Sequence, residues 1–161
     1  MMDVLIVLIG LSLVLFGASF MAKRRFGLLG LALASGSLLS GIWGYDAGLI
    51  ASGLGFPQNA TTTAVILSAI VLLPAIILLF HGYVYKSMIG RLVGAAMFTI
   101  LALALLITPL AHVLIPQGAG ASIYNLLVNN KDFITGLGLI AAVVDLFFTK
   151  PVQSSDNKHK H

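Results

Sequence analysis

Apolar residues in this chain gather into five long runs, parted by short polar or basic breaks. Val4 to Met21 is the first, and at about 1.5 Å per residue it crosses a hydrocarbon core of about 30 Å with little tilt. Asp3 precedes this run and Lys23-Arg24-Arg25 follows it, the reverse of the charge order of a cleaved signal peptide, so it is expected to remain as a span. The same order places the N-terminus outside and the basic turn inside. Phe26 to Gly44 forms a second span in which Gly27, Gly30, Ala34, Ser37, Gly41 and Gly44 recur in steps of three and four. Such spacing makes one smooth helix face, which lipid does not reward but a neighbouring helix can approach closely.

The third run, Thr61 to Tyr85, carries Pro74 near its middle, where a missing amide and a ring clash predict a kink. Leu92 to Leu110 is the fourth, with Pro109 and Pro116 loosening its outer end. Phe133 to Thr149, at the short limit for spanning, is the fifth. Between them, Tyr45 to Asn59 has no Lys or Arg and several glycines, and is expected to be an external loop rather than a re-entrant or interfacial helix. Gln117 to Asp132 reads as a second external loop. If all five runs cross, Lys23, Arg24, Arg25, Lys86, Arg91, Lys150, Lys158 and Lys160 lie inside, and Lys131 alone is outside. The predicted fold is therefore an all-α, polytopic transmembrane bundle over residues 1–150. A disordered polar cytoplasmic tail follows over 151–161.

Composition agrees with that pattern: 59% of the residues are hydrophobic and 9% charged, against roughly 25% charged in soluble domains. With a mean hydropathy of +1.06, the exterior suits a bilayer and not water. The sequence pI of about 9.6 comes from basic clusters between apolar runs, which orient helices and do not suggest nucleic acid. There is no cysteine, hence no disulfide and no thiolate metal site.

Candidate chemistry is sparse. Asp145 falls in the fifth run, five residues before Lys150, and an unpaired carboxylate there costs several kcal/mol. An ion pair with Arg91 or Lys86 is the expected solution, with an ion or proton site as the alternative. His81 and His112 fall on opposite sides of the predicted bundle, so no metal or cofactor is expected. No phosphate-binding loop, catalytic elbow or zinc-protease motif occurs and the chain has no glutamate, so no enzyme is expected either.

Three features together resemble the colicin V production protein (CvpA) family of small bacterial inner-membrane proteins. Asp3 opens the first span, Lys23-Arg24-Arg25-Phe26-Gly27 leads into the glycine-rich second helix, and Gly90-Arg91-Leu92-Val93-Gly94-Ala95-Ala96 opens the fourth. The resemblance covers roughly residues 2–115; the chain departs from the family's pattern around Phe98 and Thr99 and in its more hydrophobic fifth run. It implies a role in colicin V production or export and envelope homeostasis, with no catalytic residues to carry over. The expected mode of action is helix packing with a second copy or another membrane protein, through the small face of the second helix and the Arg91 to Gly94 turn, with Gly90 and Gly94 as packing residues. The other reading is a small transporter or channel subunit, with Pro74, the Gly-rich external loop and Asp145 along a pathway. A reporter fused after Lys160 is expected to signal from the cytoplasmic side, and an external signal would remove the fifth crossing.

Overall fold

The computed structural model describes residues 4–80, 85, 87–111, 113–116, 118 and 120–148. Asp3, His81, Lys86, His112, Lys150 and the tail 151–161 lie outside the described residues. Six helices account for the regular structure: α1 (Val4–Ala22), α2 (Phe26–Ile42), α3 (Ala47–Gly53), α4 (Ala60–Phe80), α5 (Met88–Leu110) and α6 (Gly120–Phe147). Four of them, α1, α4, α5 and α6, are long and apolar enough to cross a membrane, and α2 with α3 forms a fifth candidate bent by 88°.

The helices α1, α4 and α6 end where α2 and α5 begin, at the end of the bundle that carries Lys23, Arg24, Arg25 and Arg91. That is the basic end of the bundle. α5 buries more residues than any other helix, among them Phe98, Leu101, Leu106 and Ile107. Leu29 and Leu33 of α2, Val71 and Ala75 of α4, and Ala142 of α6 join Phe98, Leu101 and Leu106 in the main core. A second cluster, Val4, Leu8, Ile107, Leu114 and Tyr124, closes the opposite end.

Two segments differ from the sequence expectation. The stretch read as a plain loop contains α3, in which Ala47 and Ala51 are fully buried against α4 while Leu49 and, beyond the helix, Leu54 and Phe56 stay exposed. Glycine costs about 1 kcal/mol in a helix, yet here packing of the two alanines overrides that local preference. The larger correction concerns Gln117 to Asp132. From Gly120 onward this stretch is the first half of α6, a continuous helix of 28 residues. Its polar side chains suggested a loop, but Tyr124, Leu127 and Val128 repeat at helical spacing and pack against Val4 and Leu8. No proline interrupts it.

α4 runs unbroken across Pro74, and Asn59 caps its start by accepting the Thr62 amide hydrogen at 2.8 Å. α5 begins four residues before the expected Leu92, because Ser87 caps it by accepting from the Gly90 N–H at 3.1 Å. The small residues of α2 serve several neighbours. A Cβ on Gly27 would stand 2.6 Å from the Ala142 carbonyl oxygen, and one on Gly30 2.9 Å from the Ala142 Cβ, so both press against α6. Gly36, outside the expected stripe, meets α4 most closely, since any Cβ there would overlap the Val71 carbonyl. Gly90 and Gly94 both pack against the Tyr85 ring.

Gly36→Ala is accordingly expected to destabilise by about 1–3 kcal/mol, as overpacking does. Gly41→Ala, with open space around position 41, should be neutral or better. Melting temperatures in detergent compare the two, and equal values would remove the close approach of α2 to α4.

Candidate functional site

At the basic end the charged side chains serve helix termini. Arg24 donates through Nε to the Leu79 carbonyl at 3.0 Å and through Nη2 to the Phe80 carbonyl at 2.8 Å, closing the last turn of α4. Arg91 donates through Nη2 to the Phe20 carbonyl near the end of α1 at 3.0 Å, with its guanidinium 4.7 Å from the centre of the Phe20 ring. Arg25 reaches the Asp145 backbone carbonyl at 3.4 Å near the end of α6 and lies 5.6 Å from the centre of the Tyr85 ring. Terminal carbonyls lack helical donors and carry the negative end of the helix dipole, so cations suit all three places.

The opposite polarity applies at the start of α2. Arg25 occupies its N-cap without a side-chain cap. The Phe26 N–H donates to the Tyr85 hydroxyl at 3.2 Å and the Gly27 N–H to Asp145 Oδ2 at 2.9 Å. Burial pushes the Tyr85 hydroxyl above its ordinary pKa, with the Phe26 N–H pulling it back and the Asp145 charge adding to the rise. It therefore remains a neutral hydroxyl. Of the expected Asp145 partners, Arg91 turns instead to Phe20, because the α1 terminus offers it both a carbonyl and a ring face. Lys86 falls outside the described residues.

The second feature lies in the half of the bundle away from the arginines. A cavity of about 710 Å³ separates the end of α2 from the start of α4 and the end of α5. Ser37, Ser40, Gly41 and Gly44 line it, completing the small face whose other half is packed on α6, while Ala34 is half-buried. Thr63 and Thr108 add two more hydroxyls. Sequence reasoning identified the Ser37 to Gly44 part of this face but not the cavity, because Thr63, Thr108 and Pro109 come from distant segments.

The expected pathway residues are not brought together. Pro74 lines a shallow groove with Leu28, Leu31 and Ile77, Asp145 caps α2 at the basic end, and α3 rests on α4. No protein-family model, curated protein or solved structure matches the chain.

Asp145→Ala should remove a charge-assisted hydrogen bond and lower stability by about 2 kcal/mol, whereas Asp145→Asn retains an acceptor for the Gly27 N–H and should lose less. Unfolding in mixed micelles measures both. Equal, negligible losses would show that the carboxylate does not hold the start of α2.

Proposed function

We propose that this chain is a multi-pass membrane protein that works by packing α6 against a second copy of itself. The observation that carries this reading is the unpartnered face of α6. Gly120, Tyr124 and Ala142 are its buried residues among 28. Leu126, Asn129, Phe133, Gly136, Ile140, Val143 and Phe147 all lie exposed, in alternating steps of three and four.

Depth makes that face costly in lipid. Gly120 packs against Leu5 at the start of α1, and Asp145 packs against Gly27 just beyond the turn that follows α1. From 120 to 145 α6 rises about 37 Å, whereas α1 with 19 residues rises about 28 Å, so α6 crosses aslant with its middle inside the hydrocarbon. That middle holds Asn129, Asn130, Lys131 and Asp132. Lys131 can extend its amine toward the surface, but a carboxamide in lipid needs a protein partner. A carboxamide is both donor and acceptor, so Asn129 complements its own copy across a two-fold axis. A lone polar position in such a seam is also what fixes helix register.

The orientation that goes with this reading has the N-terminus outside and the arginine end in the cytoplasm. The resemblance to the colicin V production proteins supports the same class, located in a bacterial inner membrane and serving colicin V production or envelope homeostasis. The small face of α2 is a weaker contact than the sequence suggests, since Gly27 and Gly30 are occupied within the chain.

The absence of native cysteine makes the test direct. Single Phe133→Cys and Gly136→Cys variants, oxidised in membranes, should give disulfide-linked dimers, while Gly41→Cys should stay monomeric. Monomers at all three positions would leave α6 facing lipid and end this reading.

A further inference from the structure

We infer that the cavity between α2, α4 and α5 is a binding site for a lipid whose head is an uncharged alcohol, a site separate from the α6 face. Its wall is polar without being charged. Ser37, Ser40, Thr63 and Thr108 place four hydroxyls around about 710 Å³, and none of the lining residues is ionisable. That volume lies within the range of about 300–1,000 Å³ occupied by small-molecule sites.

The state of these hydroxyls carries the argument. Elsewhere in the bundle Ser12, Ser35 and Thr99 each donate to the carbonyl four residues back, at 2.7, 3.0 and 2.8 Å. This is how a hydroxyl in an apolar helix usually satisfies itself. Among the described residues, the hydroxyls of Ser37, Ser40, Thr63 and Thr108 make no such bond. Ser40 is buried, Ser37 and Thr63 are half-buried, and Thr108 stands exposed at the rim. A hydroxyl that borders a cavity and has no backbone partner is open to bonding with an occupant, and these four border one space.

The wall also specifies the kind of occupant. Pro109 has no N–H, so the Leu105 carbonyl has no amide four residues ahead, and both residues line the cavity. The site thus offers an acceptor beside its hydroxyl groups and favours a head that can donate as well as accept. An alcohol does both. A phosphate would bring negative charge to a wall with no cation, which is unfavourable in a low-dielectric site. Leu67, Val71 and Leu105 supply apolar wall for a chain, and Gly41, Gly44 and Thr108 are exposed at the rim where it would leave toward lipid. Diacylglycerols and isoprenols share this chemistry.

The experiment uses the full chain in nanodiscs with a diazirine-bearing diacylglycerol as photoprobe. Label is expected in the segments 37–44, 60–71 and 105–109, displaced by dioctanoylglycerol and not by dioctanoyl phosphatidic acid, which differs only in its phosphate. Farnesol as a second competitor distinguishes the sources: displacement at lower concentration by farnesol than by dioctanoylglycerol assigns an isoprenol, the reverse order a diacylglycerol, and either supports the site. Paired Thr63→Val and Thr108→Val changes keep the shape but remove two hydroxyls, and should weaken labelling by about tenfold or more. Gly41→Leu, placed where there is room for a side chain, should block the cavity, with melting temperature confirming that the fold persists. Equal competition by the phosphate-bearing lipid, label spread over α1 and α6, or labelling indifferent to these variants would overturn the proposal.

Discussion

Backbone groups at helix ends must be satisfied where a bundle leaves the apolar phase, and in this protein that requirement organises one whole end of the fold. Three helices finish there and two begin. Arg24 closes α4, Arg91 closes α1 and Arg25 reaches the end of α6, so each terminus with its negative dipole end receives a cation. α2 starts immediately after a three-residue turn with Lys23 in the left-handed region at φ 58°, leaving little chain from which to build a local cap. Asp145 and Tyr85 supply the missing acceptors from distant segments. Because each cap joins two or more helices, the turn after α1, the connection before α5 and the end of α6 are fixed against one another.

Once α2 is held at its start, its small residues decide how closely the neighbours approach. Gly27 and Gly30 admit α6, and Gly36 admits the backbone of α4. Close backbone approach increases dispersion contact where no hydrophobic effect drives helices together. Beyond Gly36 the helices diverge and the small face continues without a partner. Ser37, Ser40, Gly41 and Gly44 then line a cavity instead of a contact. One stripe of similar residues therefore has two physical roles along its length.

α6 differs from the other long helices in being both long and little covered. Its C-terminal half locks against α2 through Ala142 and Asp145, and its N-terminal half leans on α1 through Tyr124. The face turned away from both carries one carboxamide, Asn129, among large apolar groups in a regular repeat. An apolar face alone would be content with lipid, and the dimer proposed above rests on the carboxamide among those apolar groups.

The sequence by itself determined the solvent and four of the helices, because a run of about twenty apolar residues has few stable alternatives to a membrane helix. It also marked the residues at the arginine end, though as orientation signals and not as caps. Tertiary structure decided the rest. The α6 extension was hidden because Asn125 to Asp132 is polar on the face turned away from α1, and only the fit of Tyr124 against Val4 and Leu8 makes it helical. α3 was hidden because its glycines argue against a helix until Ala47 and Ala51 meet α4. The role of Asp145 depended on which terminus lay within reach, and the cavity on three helix ends separated by long stretches of chain. Local pattern reports how a segment prefers to meet its solvent; which segments become one another's surroundings is set by long-range packing.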